Sequence, residues 1–93
     1  MNVTWEPAKA KSNFRKHGVD FADAAVALED ENALTILDSD QSEFRFKTLA
    51  MSPDTNILMI VHAEQDEDTV RIISPRKAEK LEERTYFQGG FHE

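Results

Sequence analysis

The chain has 93 residues, 40% hydrophobic and 31% charged, with a formal charge of −7 at pH 7. That length supports one domain with a modest core, so residues 1–93 are read as a single unit. Without cysteine, disulfide frameworks and thiolate metal sites are excluded, and no apolar run approaches the roughly 20 residues of a membrane span, so a cytoplasmic protein is expected.

The acidic balance argues at face value against a nucleic-acid partner, since phosphate binding draws on Lys and Arg. Its distribution says otherwise. Residues 1–21 carry four basic residues against two acids, and residues 69–86 carry five against three. Residues 22–68 hold twelve acids against Arg45 and Lys47 alone. Both ends are locally basic, and the acidic middle suits either a solubilising surface or the docking of a basic partner.

In chain order, Val3-Thr4-Trp5 reads as a short strand. A first helix follows from Pro7, favoured at the first helical position, to Gly18, favoured just past the last. Ala10 and Phe14 give it a narrow apolar stripe, while Lys9, Asn13 and Lys16 form a polar one, usually the wet side. Asp20 is placed to cap a second helix, in which Phe21, Ala24, Ala25 and Leu28 recur at helical spacing. Glu29-Asp30-Glu31 ends it. Leu34–Leu37 reads as a short strand, and Asp38–Ser42 as a polar loop.

From Glu43 the period is two. Strands are expected at about 43–51, 57–64 and 69–74, joined as an antiparallel meander by turns at Ser52-Pro53-Asp54-Thr55 and Gln65-Asp66-Glu67-Asp68. Ile57, Met59, Val61 and Ala63 make a uniformly apolar face, expected to carry the helices. Leu58, Ile60, His62 and Glu64 point the other way, toward an open face. Ser74-Pro75 then reads as a switch into a third helix, with Ser74 as cap. Arg76 and Lys77 would stand in its first turn, where the helix dipole disfavours cations unless an anion sits there.

Two symmetric four-residue turns would place His62 between Arg45 and Arg71, with Glu64 two residues along. RNA cleavage without a metal needs a base for the 2′-hydroxyl, an acid for the leaving 5′-oxygen, and cations for the charge on phosphorus. His62 and Glu64 suit proton transfer, and Arg45, Arg71 and Arg76 suit phosphate clamping. The same residues also read as an ordinary cross-strand ion-pair ladder. The three histidines are far apart and no His-x-x-x-His spacing occurs, so no metal or other cofactor is expected. Trp5 and Tyr86 read as core anchors with a polar tip.

Laid out in order, Trp5-Glu6-Pro7, Lys9, Asn13, Lys16-His17-Gly18-Val19, Phe21, Arg45-Phe46, His62, Arg71-Ile72-Ile73-Ser74-Pro75-Arg76-Lys77-Ala78, Glu83-Arg84 and Tyr86 resemble the BrnT family. These are small ribonuclease toxins of bacterial type II toxin–antitoxin modules. The resemblance spans Trp5 to about Tyr86. It implies a RelE-like α+β fold: a twisted antiparallel sheet, two N-terminal helices on one face and a C-terminal helix closing the end. It also implies an endoribonuclease that inhibits translation and a BrnA-like antitoxin that neutralises it. The antitoxin would supply the contacts to operator DNA in a larger assembly. Lys77, with Lys9, Lys16 and His17 on the first helix, would add substrate contacts. The chain departs from the family pattern at Ala63-Glu64-Gln65, where Thr-Glu-Arg is usual, at Ala50 for a glycine and at Pro75 for an alanine. A non-catalytic module that binds an antitoxin-like protein is the alternative.

Overall fold

The computed structural model describes residues 1–38 and 44–90. The elements run β1 (Asn2–Thr4), α1 (Pro7–His17), α2 (Phe21–Ala27), β2 (Leu34–Asp38), β3 (Arg45–Met51), β4 (Ile57–Asp66), β5 (Thr69–Lys77) and α3 (Lys80–Gln88). Most of the expected loop over Asp38–Ser42, and the first expected residue of the next strand, Glu43, lie outside the described residues. The strands form one sheet in the order β1-β5-β4-β3-β2, antiparallel except for the parallel pair β1–β5.

Helix boundaries follow local chemistry at the N-terminal end. Pro7 opens α1, and Gly18 closes it at φ 71°, a left-handed conformation that glycine adopts without a Cβ penalty. Asp20 caps α2 by accepting the Ala22 N–H at 2.9 Å. Phe21, Ala24 and Ala27 of α2 pack with Val19 against Ala50, Leu58, Ile60 and Ile72 of the sheet, and Trp5 meets Phe21 edge to face at 5.9 Å. Ala10 joins this cluster, but Phe14 is 53% exposed and gives α1 no apolar anchor.

The third helix starts later than Ser74-Pro75 predicts. β5 runs straight through Ser74, Pro75, Arg76 and Lys77, and α3 begins at Lys80. Its N-terminus is a capping box: Glu79 accepts from the backbone of Glu82, and the Glu82 side chain accepts the Glu79 N–H at 2.8 Å. Proline is tolerated in β5 because β1 pairs only with Thr69, Val70 and Arg71, so the later part of β5 is an edge of the sheet. α3 covers the face opposite α1 and α2, where Tyr86 packs with Leu49, Ile57 and Met59.

Both connecting turns depart from four-residue symmetry. Met51 pairs with Ile57, so the β3–β4 loop holds five residues, with Thr55 at φ 67°. Between β4 and β5, Asp66 pairs with Thr69, and a bulge at Gln65 then brings Glu64 opposite Val70. A second bulge falls at Ile73, which has no partner between the pairs His62↔Ile72 and Val61↔Ser74. Every predicted partner of His62 is therefore displaced by one residue, and one residue in a strand is one face of the sheet.

Candidate active site

Helices cover both faces of β4, where one open face was expected. Leu58 and Ile60 lie under α1 and α2, while Ile57 and Met59 lie under α3. His62 shares the α1/α2 side: it pairs with Phe46 and Ile72, not with Arg45 and Arg71. Its ring is 8% exposed and stacks on Phe46 with centroids 5.7 Å apart. Nε2 lies 2.7 Å from Thr48 Oγ1, which lies 2.7 Å from Thr35 Oγ1. Nδ1 is buried without a partner among the described residues. The neutral tautomer with its proton on Nε2 donates to Thr48 and leaves Nδ1 an unpaired acceptor, which costs less than a stranded donor. Burial pushes the His62 pKa down, partly offset by the nearby charge of Glu64. Glu64 itself is exposed, opposite Val70. The predicted patch of His62, Glu64, Arg45 and Arg71 is not formed.

The arginines do assemble, but on the other face. Arg71 stands opposite Ala63, Arg76 opposite Met59 and Lys47 opposite Val61. Side chains paired across an antiparallel ladder share a face, and Arg45, two residues from Lys47, points the same way. Four cations thus frame an apolar strip of Val61 and Ala63 beside the edge of α3. Arg76 is already engaged there: its Nη1 and Nη2 each donate to a Glu82 oxygen at 2.9 Å, and Glu79 lies 4.0 Å away. The Arg76 hydrogen bonds hold the Glu82 carboxyl below its ordinary pKa against the effect of burial, with smaller help from the Glu79 N–H and the charge of Lys47. Lys77 pairs with Leu58 and points to the α1/α2 side, near Gly18 and Asp23. Arg76 and Lys77, expected together at a helix start, are on opposite faces of a strand.

A second basic feature lies along the free edge of β5. Lys9, Ser12, Asn13, Lys16 and His17 of α1 face Ile73 and Ser74 across a groove of about 260 Å³. Of the polar stripe of α1 read as its wet side, Lys9 and Lys16 are exposed along the groove, but Asn13 is turned into the sheet. It is buried, donates Nδ2–H to the Pro75 carbonyl at 2.8 Å and accepts from Ser74 Oγ at 3.0 Å. One amide binds both residues that follow the β5 bulge and fixes α1 against them. Ser74 joins the two basic features, since it pairs with Val61 in the sheet and also lines the groove. Lys47, Ser12, Asn13 and Ser74 were not picked out as site residues from the sequence. Lys47 was legible as two residues from Arg45, and Asn13 as one helical turn from Lys9 and from His17.

Among the described residues, no group of three or more His, Asp or Glu side chains is placed to hold a metal ion. No described helix is long and apolar enough to cross a membrane.

The family model for the ribonuclease toxin BrnT of type II toxin–antitoxin systems matches residues 5–82. The chain belongs to this family. The fold agrees: the crystal structure of the Brucella abortus ribonuclease toxin BrnT superposes with a TM-score of 0.65 at 22% identity, covering 86% of this chain and 99% of that one. No curated protein matches. Membership makes the chain a ribonuclease toxin, and a type II toxin implies a cognate antitoxin.

Proposed function

We propose that this BrnT-family chain cleaves RNA without a metal, inhibits translation by doing so, and is neutralised by a BrnA-like antitoxin that supplies the operator DNA contacts. The observation that carries the reading is the cationic sheet face of Arg45, Lys47, Arg71 and Arg76, continuous through Ser74 with the groove of Lys9, Lys16 and His17. An RNA backbone crossing both places its phosphates on guanidinium and ammonium groups, with Val61 and Ala63 as an apolar floor for ribose or base. The protein's own cations take the place a metal would fill in neutralising the charge on phosphorus. His62, enclosed between Phe46, Thr48 and Ile72, is assigned to the core, and Glu64 to the solvated side of the same face.

The antitoxin is best received at the far edge of the sheet. β2 is its last strand, and beside it a groove of about 480 Å³ is lined by Leu34, Met51, Tyr86 and Phe87 with Glu31 at its rim. Acidic charge at a groove of mixed polar and apolar lining suits a basic amphipathic segment. Loss of salt-sensitive association in Glu29→Ala/Glu31→Ala protein supports this docking, and unchanged affinity removes it.

Incubation of the purified chain with RNA in EDTA tests the activity: cleavage is expected, and intact RNA at every protein concentration defeats the reading. The occupied Arg76 favours one alternative, a module that binds its antitoxin without cleaving RNA. Expression toxicity separates the two. Growth arrest relieved by Arg71→Ala supports the enzyme, and equal harmlessness of both proteins supports the module.

A further inference from the structure

We propose that His17 is the proton-transfer residue of the cleavage, acting on a phosphodiester seated in the groove between α1 and β5; the inference rests on the ribonuclease reading above. His62 is enclosed in the core, whereas His17 is half-buried and forms part of the groove wall. Lys9, Asn13, Lys16 and His17 recur on one side of α1 at helical spacing. The imidazole is thus presented together with two ammonium groups, and the Ser12 and Ser74 hydroxyls stand beside them.

The placement is rigid where it matters. Asn13 lies one helical turn before His17 and binds both the Pro75 carbonyl and the Ser74 hydroxyl. Gly18 ends the helix directly after His17. A bulge in β5, an amide bracing it and a helix end carrying the imidazole therefore form one unit. The groove volume of about 260 Å³ equals roughly nine water volumes at about 30 Å³ each, room for a phosphate and part of its ribose. Lys9 is paired only loosely, with Glu6 at 3.9 Å on an exposed surface, so an incoming phosphate can take its place.

The chemistry balances with these groups. Neutral His17 takes the 2′-hydroxyl proton as O2′ bonds to phosphorus, and the electron pair of the breaking P–O5′ bond goes to O5′. The leaving oxygen takes a proton from the ammonium of Lys16. The products are a 2′,3′-cyclic phosphate and a 5′-hydroxyl, and solvent exchange returns the proton from His17 to Lys16. An imidazole is the side chain whose ordinary pKa allows both halves of that cycle near neutrality.

The test uses the full chain and a fluorogenic oligoribonucleotide in EDTA, with wild type, His17→Ala and His17→Gln shown to be folded and to bind a 2′-deoxy version of the oligonucleotide. The expected result is a fall in kcat of about 10²- to 10⁴-fold with little change in KM. Loss of the acidic limb of the pH–rate profile is expected as well, with partial rescue of His17→Ala by added imidazole. Cleavage within threefold of wild type by His17→Ala overturns the inference, as does lost activity that imidazole does not rescue and an acidic limb that persists. Wild-type protein that leaves the RNA intact overturns the ribonuclease reading itself.

Discussion

Val61 and His62 are neighbours in β4 and stand on different sides of the sheet, and the two sides are built for opposite purposes. On the α1/α2 side, His62 is closed in by Phe46, Thr48 and Ile72, and its charge is disfavoured. On the other side, Val61 and Ala63 are framed by Arg45, Lys47, Arg71 and Arg76. A histidine in the chemically suggestive position is spent on packing, while the cations expected beside it stand across the sheet. The difference teaches that residue type nominates a site, and register decides whether the nominees meet.

Substitutions on the two faces should have opposite consequences. Removing two cations with Arg45→Ala/Arg71→Ala should lower RNA cleavage by on the order of 10²- to 10³-fold, the scale seen when preorganised charge-stabilising groups are lost. His62→Gln, which can still donate to Thr48, should stay within a few-fold of wild type at a temperature where both are folded. Initial rates on one oligoribonucleotide check both. A collapse with His62→Gln and indifference to the arginine pair would reverse the assignment of the two faces.

Much of this architecture is legible in the sequence, and the part that is not has a definite physical cause. Pro7, Gly18 and Asp20 mark helix ends because their preferences are local: α1 begins and ends, and α2 begins, where they say. The meander is legible from period-two hydrophobicity. Register is not, because it depends on loop length and bulges: a five-residue β3–β4 loop where four were expected, and a tighter β4–β5 turn with a bulge at Gln65, moved His62 by one partner on each side. Ser74-Pro75 misled for a related reason. Proline signals a helix start, but it equally suits an edge strand, and only the shortness of β1 makes that stretch of β5 an edge. Asn13 alone of the polar stripe of α1 faces inward, because its amide finds the Pro75 carbonyl and the Ser74 hydroxyl there, which no periodicity reveals.

Asn13 is therefore the next place to press. Asn13→Ala leaves the buried Pro75 carbonyl without its donor and the half-buried Ser74 hydroxyl without its acceptor. Stranding such groups costs about 1–3 kcal/mol, read as a lower denaturation midpoint with an unchanged slope. Because the same amide braces the groove, cleavage should fall as well in the protein that remains folded. Stability lost with cleavage fully retained would detach the groove from the active site and leave the sheet face alone.

Tyr86 offers a smaller and purely structural contrast on the α3 side. Its hydroxyl donates to Asp30 at 2.5 Å, and the same carboxylate accepts the Met51 N–H at 2.9 Å and the Asn32 N–H at 3.0 Å. Burial and then the Asp30 contact push the Tyr86 pKa up to about 12. Burial works against the Asp30 charge, but the donors, Tyr86 first, hold its pKa below the usual range. Tyr86→Phe should cost about 1.5–3 kcal/mol, one hydrogen bond to a charged group, with cleavage rates unchanged. A large effect on cleavage instead would place α3 in the chemistry and not merely beneath it.

The finest distinction between the two faces is in their response to acid. The folded chain lowers the His62 pKa below its ordinary 6.5, so as pH falls through 6.5 the unfolded chain takes up a proton that the folded one refuses. Stability must then drop on acidification through the window between 6.5 and the lowered folded value. The rest of the molecule pulls the other way. A chain with eighteen acids and a net charge of −7 at pH 7 loses self-repulsion as it approaches its isoelectric point near 4.9. The histidine signal is therefore a difference between proteins, not a trend in one. Between pH 7.5 and 5.5, the melting temperature of wild type should fall relative to that of His62→Gln by on the order of a few degrees. Parallel curves for the two proteins would mean that the ring is protonated as readily when folded as when unfolded, and the enclosed side of the sheet would have to be drawn as open.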